Sequence, residues 1–178
     1  QTTVYGKVVY LGFMHLEGLH AKVAADIVEN RTQFGPFQSL ENFIERVPIG
    51  IENLQILIFI GAFRFTKLSK NELLIRARMI LVNFKPEDRN WKLLAEPIKP
   101  FKLPDLPRSV FEDAFDEIEL LNFPVSCSPF DLLKTKYRGD VLARDLNAYH
   151  KKTVRMLAYL VSRKHVPTKL GSMYFGTW

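Results

Sequence analysis

Apolar positions recur at helical spacing through most of the first 83 residues. Ala21, Ala24, Ala25, Ile27 and Val28 form a stripe that predicts a helix from Ala21 to about Asn30, and the pair Gly35-Pro36 closes the connection after it. Ser39 is placed to cap a second helix running to about Val47, with Leu40, Phe43 and Ile44 inward and Pro48 as its stop. Glu52 to Ile60 predicts a third helix, almost wholly apolar through Leu54, Leu57, Ile58 and Phe59. Gly61-Ala62-Phe63 then turns the chain. Ser69 and Glu72 have the spacing of a capping box for a fourth helix that carries Leu73, Leu74, Ala77, Ile80 and Leu81. Ahead of all of these, Val4 to Leu11, with Gly6 between two short apolar runs, predicts a small strand or hairpin.

The pattern changes after residue 84. Pro86, Pro97, Pro100, Pro104 and Pro107 each remove an amide donor and disfavour helix in the preceding residue, so 84–108 reads as an extended connector. Its alternating stretch Ile98 to Pro104 suits a segment lying along a surface. Ser109 and Glu112 form a second capping-box spacing, opening a helix with Phe111, Ala114, Phe115, Ile118 and Leu121 on its apolar face. Asn122 and Pro124 break it, and Ser128-Pro129 restarts a short helix with proline at a favoured first position. Val154 to Val161 alternates in a way that predicts a strand buried on both faces; Leu170 to Trp178 repeats this less clearly, with Arg163, Lys164, His165 and Lys169 in the loop between. Because a lone two-stranded hairpin is marginal, the expectation is a larger sheet cut by the end of the chain. The expected organisation is mainly α: a helical domain over 1–83, the connector over 84–108, a helical linker over 109–150 and a small C-terminal β-hairpin over 151–178.

Leu16 to Val28 is the stretch that carries candidate chemistry. Gly18 lies two residues before His20, with Leu19 between them and the Ala/Val/Ile stripe after, which is the pattern of a tight hairpin feeding a helix: a helix-hairpin-helix. Gly18 can adopt a left-handed conformation, while Leu16 and Leu19 anchor the turn. Amides at the start of the following helix then point outward, and with the helix dipole they form a phosphate-sized site near Lys22. The alternative is an ordinary loop between packed helices.

Charge adds a second region. The net charge is +6, yet residues 134–178 hold ten Lys/Arg against two Asp/Glu, whereas residues 1–133 hold fifteen against seventeen. Since sequence-independent affinity for nucleic acid comes mainly from Lys and Arg on phosphates, the C-terminal part is the better electrostatic candidate. Glu112, Asp113, Asp116, Glu117 and Glu119 line one side of their helix, which reads as a solvated face or one docked to a basic neighbour and not as a divalent-metal site. The single Cys127 excludes an intramolecular disulfide and a cysteine-rich metal centre, has no evident base, and points to a structural thiol in a cytoplasmic protein. No apolar run reaches the length of a membrane span, and the N-terminal QTTVYGK has no signal pattern, so no membrane is expected as a partner. No cofactor is expected either. Gln55 to Phe59 has the spacing of a sliding-clamp-binding peptide, but such peptides are exposed and a helix this apolar belongs inside.

Several segments occur together in an order that resembles the alpha subunits of bacterial replicative DNA polymerase III. They are Val8-Val9-Tyr10-Leu11-Gly12, Glu17-Gly18-Leu19-His20, Gly35-Pro36-Phe37 with Leu40 and Phe43, Ile60-Gly61-Ala62-Phe63, and Leu120 to Val125 followed by Ser128-Pro129. The resemblance covers essentially the whole chain. It implies the region after the polymerase active site: a tandem helix-hairpin-helix domain, a connector and the first two strands of a truncated OB-fold. The implied function is DNA binding within a replicase, with Gly18, Leu19, His20 and Lys22 on the backbone of double-stranded DNA. Arg163, Lys164 and Lys169, with Tyr174 or Trp178, would begin a surface for single-stranded DNA. The sliding clamp is a further implied partner, although the connector candidate Trp91-Lys92-Leu93-Leu94 lacks the glutamine and the terminal aromatic. Family members commonly carry a basic residue and a second glycine at the bend, where this chain has Glu17 and His20. The metal-binding aspartates of the polymerase would lie upstream, so the chain is not expected to polymerise DNA by itself. A helix-hairpin-helix glycosylase is the rival enzyme reading, but Lys22 lacks a partnering aspartate. The rival class altogether is an internal scaffold that positions the clamp and the OB-fold with little DNA affinity of its own.

Overall fold

The computed structural model describes residues 2–83, 109, 111–169 and 171–178, so the connector reading and its clamp candidate lie outside the described residues. Two compact units divide the chain, one ending at Ser126 and the other beginning at Cys127.

The first unit opens with strands β1 (Thr3–Tyr5) and β2 (Val8–Tyr10), paired antiparallel with Thr3 opposite Tyr10 and Tyr5 opposite Val8. A 3₁₀ turn at Phe13–His15 leads to α1 (Ala21–Phe34), longer than the sequence stripe suggested. Then follow α2 (Leu40–Arg46), α3 (Ile51–Phe59), a 3₁₀ turn at Arg64–Thr66, and α4 (Lys70–Asn83). Ser39 caps α2 as expected, its hydroxyl accepting from the Asn42 amide at 3.0 Å. Ser69 accepts from the Glu72 amide at 3.1 Å, but Glu72 turns to Arg76 at 2.9 Å, so only half of a capping box forms at α4.

The expected apolar positions meet in one core. Val23 and Ile27 of α1, Leu40, Phe43 and Ile44 of α2, Leu54, Leu57 and Ile58 of α3, and Leu73 and Ala77 of α4 surround Phe63, which packs edge-on to Phe43 at 5.0 Å. Arg46 ties the end of α1 to α2. Its guanidinium donates to the carbonyls of Asn30 at 3.1 Å and Gly35 at 2.8 Å and to Asn30 Oδ1 at 2.7 Å, and lies 4.3 Å above Phe37. The Gly35 carbonyl lies past the last residue of α1, where no helical amide follows to pair it.

Helix α5 (Glu112–Leu121) packs on α3. Its inward face keeps only part of the apolar stripe read from the sequence, with Glu117 in place of its two phenylalanines. Ala114, Glu117 and Leu121 are buried, whereas Phe115 is 61% exposed and Phe111 also faces solvent. Cations decide the rotation: Lys70 meets Asp113 at 2.6 Å and Asp116, and Arg64 lies 3.6 Å from Asp113 and 3.8 Å from Glu117. The acidic side is thus docked to basic neighbours, one of the two arrangements its sequence allowed. Glu117, buried, also accepts from the amides of Val125 and Ser126 at 2.6 and 2.7 Å, holding the turn after α5.

The second unit has 3₁₀ turns at Pro129–Leu132 and Ala143–Tyr149 and an antiparallel hairpin of β3 (Ser162–Thr168) and β4 (Gly171–Thr177). Ser128 and Asp131 form a complete reciprocal cap at the first turn. The strand expected over Val154–Val161 is absent. That segment makes one isolated bridge, Met156 to Gly139, and Met156, Tyr159, Leu160 and Val161 are exposed. Arg163, Lys164 and His165 lie in β3 itself and not in a loop. The reason is register: the turn joining Thr168 to Gly171 pairs residues backwards from that point, and the alternation over 154–161 finds no neighbouring strand. Val141 is the buried hydrophobic residue of this unit among the described residues. The fold is mainly helical with small antiparallel hairpins, as the sequence implied.

Candidate nucleic-acid interface

The bend before α1 is built by Gly18, whose φ of +78° is a left-handed conformation that side chains rarely adopt. A Cβ there would also sit 3.3 Å from Ile56 Cδ1 of α3. Leu16 and Leu19 pack against the core and anchor the bend from both sides. Leu19 therefore offers only its amide outward, and that amide bends back toward the Leu16 carbonyl at 3.5 Å.

Donors at the bend divide into two sets. The Glu17 amide donates to the carbonyl of Leu120 at 2.9 Å, so the end of α5 closes the near side. The His20 amide donates to Asn53 Oδ1 at 2.9 Å, from a side chain buried on α3. Ala21 and Lys22 form the other set. Both are exposed, neither amide has an acceptor among the described residues, and no acid occupies the first turn of α1. His20 at the N-cap contributes no side-chain hydrogen bond. The outward donors are thus shifted from the Gly18–His20 segment into the first turn, beside the ammonium of Lys22, where the helix dipole favours an anion. Glu17 stands on the other side of the bend, its carboxylate 3.5 Å from Asn122 Nδ2.

Asn53 is the residue that sequence reading missed. It was legible as a polar position inside an otherwise apolar helix, the kind of group that is buried only with a partner.

The remaining candidates lie on β3 and β4. Register puts Arg163, His165 and Tyr174 on one face of the hairpin and Lys164, Val166, Met173 and Phe175 on the other. The Arg163 guanidinium is 5.1 Å from the Tyr174 ring, and His165 is 4.9 Å from it on a tilted plane. Lys164 is therefore separated from the Arg163–Tyr174 pair. Lys169 occupies the turn, and Trp178 folds back over Gly176, where a Cβ would meet its Nε1 at 3.0 Å.

Elsewhere in this unit Asp140 accepts from the Tyr137 hydroxyl at 2.9 Å and from Arg155 Nε at 3.0 Å. The bond from Tyr137 and then that from Arg155 hold the Asp140 carboxyl below its ordinary value, and the bond to Asp140 raises the Tyr137 phenol. This trio fastens the bridge between 139 and 156. Among the described residues no set of His, Cys, Asp and Glu is grouped to hold a metal, and no helix is long and apolar enough to cross a membrane.

No curated protein matches the chain. Residues 1–73 match the family model of the helix-hairpin-helix motif, which supports nucleic-acid binding by the part of the chain that contains the Gly18 bend.

Proposed function

We propose that the chain is a DNA-binding accessory region of a bacterial replicative DNA polymerase alpha subunit, gripping the duplex by its backbone. The observation that carries this is the pair of amides at the exposed residues Ala21 and Lys22, without acceptors among the described residues, at the head of a helix whose first turn carries the Lys22 ammonium. Gly18 sets the bend, Leu19 anchors it, and His20 flanks the phosphate as a side-chain donor. On the other unit, the Arg163–Tyr174 face is read as the beginning of an OB-fold surface on which single-stranded bases stack, with Lys169 near its turn. In this reading the chain has no polymerase chemistry of its own and works in the cytoplasm.

A scaffold reading, in which the region positions the sliding clamp and the OB-fold, is favoured by a different observation. The Glu17 and His20 amides are consumed internally, and an acid stands beside the bend. Duplex titration over a salt series separates the two. DNA binding is expected to weaken steeply with salt and to fall further in Lys22→Glu and in Gly18→Val. Undetectable or salt-independent binding would support the scaffold.

A further inference from the structure

Thr3, Tyr5, Tyr10, Leu11 and Phe13 face Val28 and Arg31 of α1 across a cleft of about 440 Å³. Its volume is within the range of small-ligand sites. Antiparallel register places Thr3, Tyr5, Val8 and Tyr10 on a single face of the hairpin, and the Tyr5 and Tyr10 rings meet edge-on at 6.0 Å. These rings are not core: Tyr5 is 69% and Tyr10 58% exposed. Opposite them Arg31 is exposed and has no carboxylate partner among the described residues, and no acid lines the cleft. Thr2 and His15 hold the base of the hairpin through a 2.8 Å hydrogen bond, so the rings are carried on a tethered support.

A propped aromatic face opposite an unpaired guanidinium suits a planar group bearing an anion. Thr3, Tyr5 and Tyr10, which line the cleft, also carry hydroxyls that can hydrogen-bond a polar ligand. The cleft also lies on the same helix as the Ala21 and Lys22 amides. Val28 is seven residues beyond Ala21 on the same face, about 10 Å along the axis, or about three stacked nucleotides at 3.4 Å each.

We infer that this cleft receives an unpaired nucleotide, its base against Tyr5 and Tyr10 and its phosphate on Arg31, from a strand whose duplex portion lies at the head of α1. The inference rests on the duplex-binding reading above and adds to it a site for the frayed or single-stranded end. An acidic aromatic peptide is the competing occupant.

The test compares a short blunt duplex with the same duplex carrying a single-stranded overhang, both titrated into the full chain. The overhang is expected to raise affinity about tenfold, the effect of one base stacked on an aromatic ring. Tyr5→Ala, Tyr10→Ala and Arg31→Ala should each abolish that advantage while leaving blunt-duplex affinity unchanged, and Tyr10→Phe should retain it. Lys22→Glu should weaken both probes equally. Equal affinity for the two probes, or an advantage that survives Arg31→Ala, would overturn the inference. Should neither duplex bind, the duplex reading fails, and a single-stranded oligonucleotide alone decides the cleft. Movement of the Tyr5 and Tyr10 ring resonances on its addition sustains the site. Still resonances, or movement with an acidic aromatic peptide in its place, overturn it.

Discussion

Two glycine bends in the first unit share a backbone setting and differ in what they leave available. Gly18 and Gly61 both have φ of +78°, and each joins one helical segment to the next. At Gly61 most donors of the turn itself are used up: the Gly61 amide donates to Ile58, Ala62 to Leu57 and Arg64 back to Gly61, and Ser69 accepts from the Glu72 amide of the helix that follows, whose Lys70 and Asn71 amides have no acceptor among the described residues. Its cations are used up as well, because Arg64 and Lys70 face the carboxylates of α5. At Gly18 the inner amides are satisfied by Leu120 and Asn53, but Ala21 and Lys22 keep theirs, with an exposed ammonium alongside. A glycine bend is therefore only a shape. Whether it can hold an anion depends on which neighbours have already claimed its donors and charges.

That contrast can be broken by mutation, beginning at the closed bend. Glu117→Ala should leave the Val125 and Ser126 amides unpaired and cost about 3 kcal/mol, read as a lower denaturant midpoint, without changing duplex affinity per folded molecule. Asn53→Ala should cost about 2 kcal/mol by orphaning the His20 amide, and because that amide lies at the open bend, duplex affinity should change in the same variant. Lys22→Glu should do the reverse of Glu117→Ala, reducing duplex affinity about tenfold at low salt and flattening the salt slope, with the midpoint unmoved. Arg64→Glu, at the closed bend, should leave duplex affinity near the parent value. If Arg64→Glu weakens binding as much as Lys22→Glu does, the two bends are not distinct.

The smallest effect belongs to the second unit. Asp140 has a depressed carboxyl, so its contribution is present above the ordinary carboxylate range and is lost as pH falls through the folded value. Tyr137 has a raised phenol, so its contribution is present at neutral pH and is lost as pH rises through its folded value. The bridge between Gly139 and Met156 should therefore loosen at both extremes, followed by amide exchange at Asp140, whose N–H donates to the Arg155 carbonyl at 2.9 Å. In Asp140→Asn the acid limb should disappear.

The helical unit was legible because its burial follows a single period. Leu54, Leu57 and Ile58 are inward on α3, and Leu40, Phe43 and Ile44 on α2, where spacing put them. The rule held only in part on α5, where Ala114 and Leu121 are inward but Phe115 is not, since apolar periodicity cannot register that Arg64 and Lys70, more than forty residues earlier, would face Asp113, Asp116 and the buried Glu117. It failed over 154–161, where alternation describes a strand but pairing requires a neighbour that sequence does not specify. At the site, Gly18, Leu19 and Lys22 were visible as a motif. Which of the inner donors are taken was not, because the His20 amide goes to Asn53, which lies on another helix.

Backbone amide resonances recorded while a short DNA duplex is added test the open bend most directly. The expected result is that Ala21 and Lys22 shift progressively and recover with added salt, while Gly61 and Ala62 stay still. Unmoved signals at Ala21 and Lys22, or equal movement at Gly61, would contradict the distinction between the two bends.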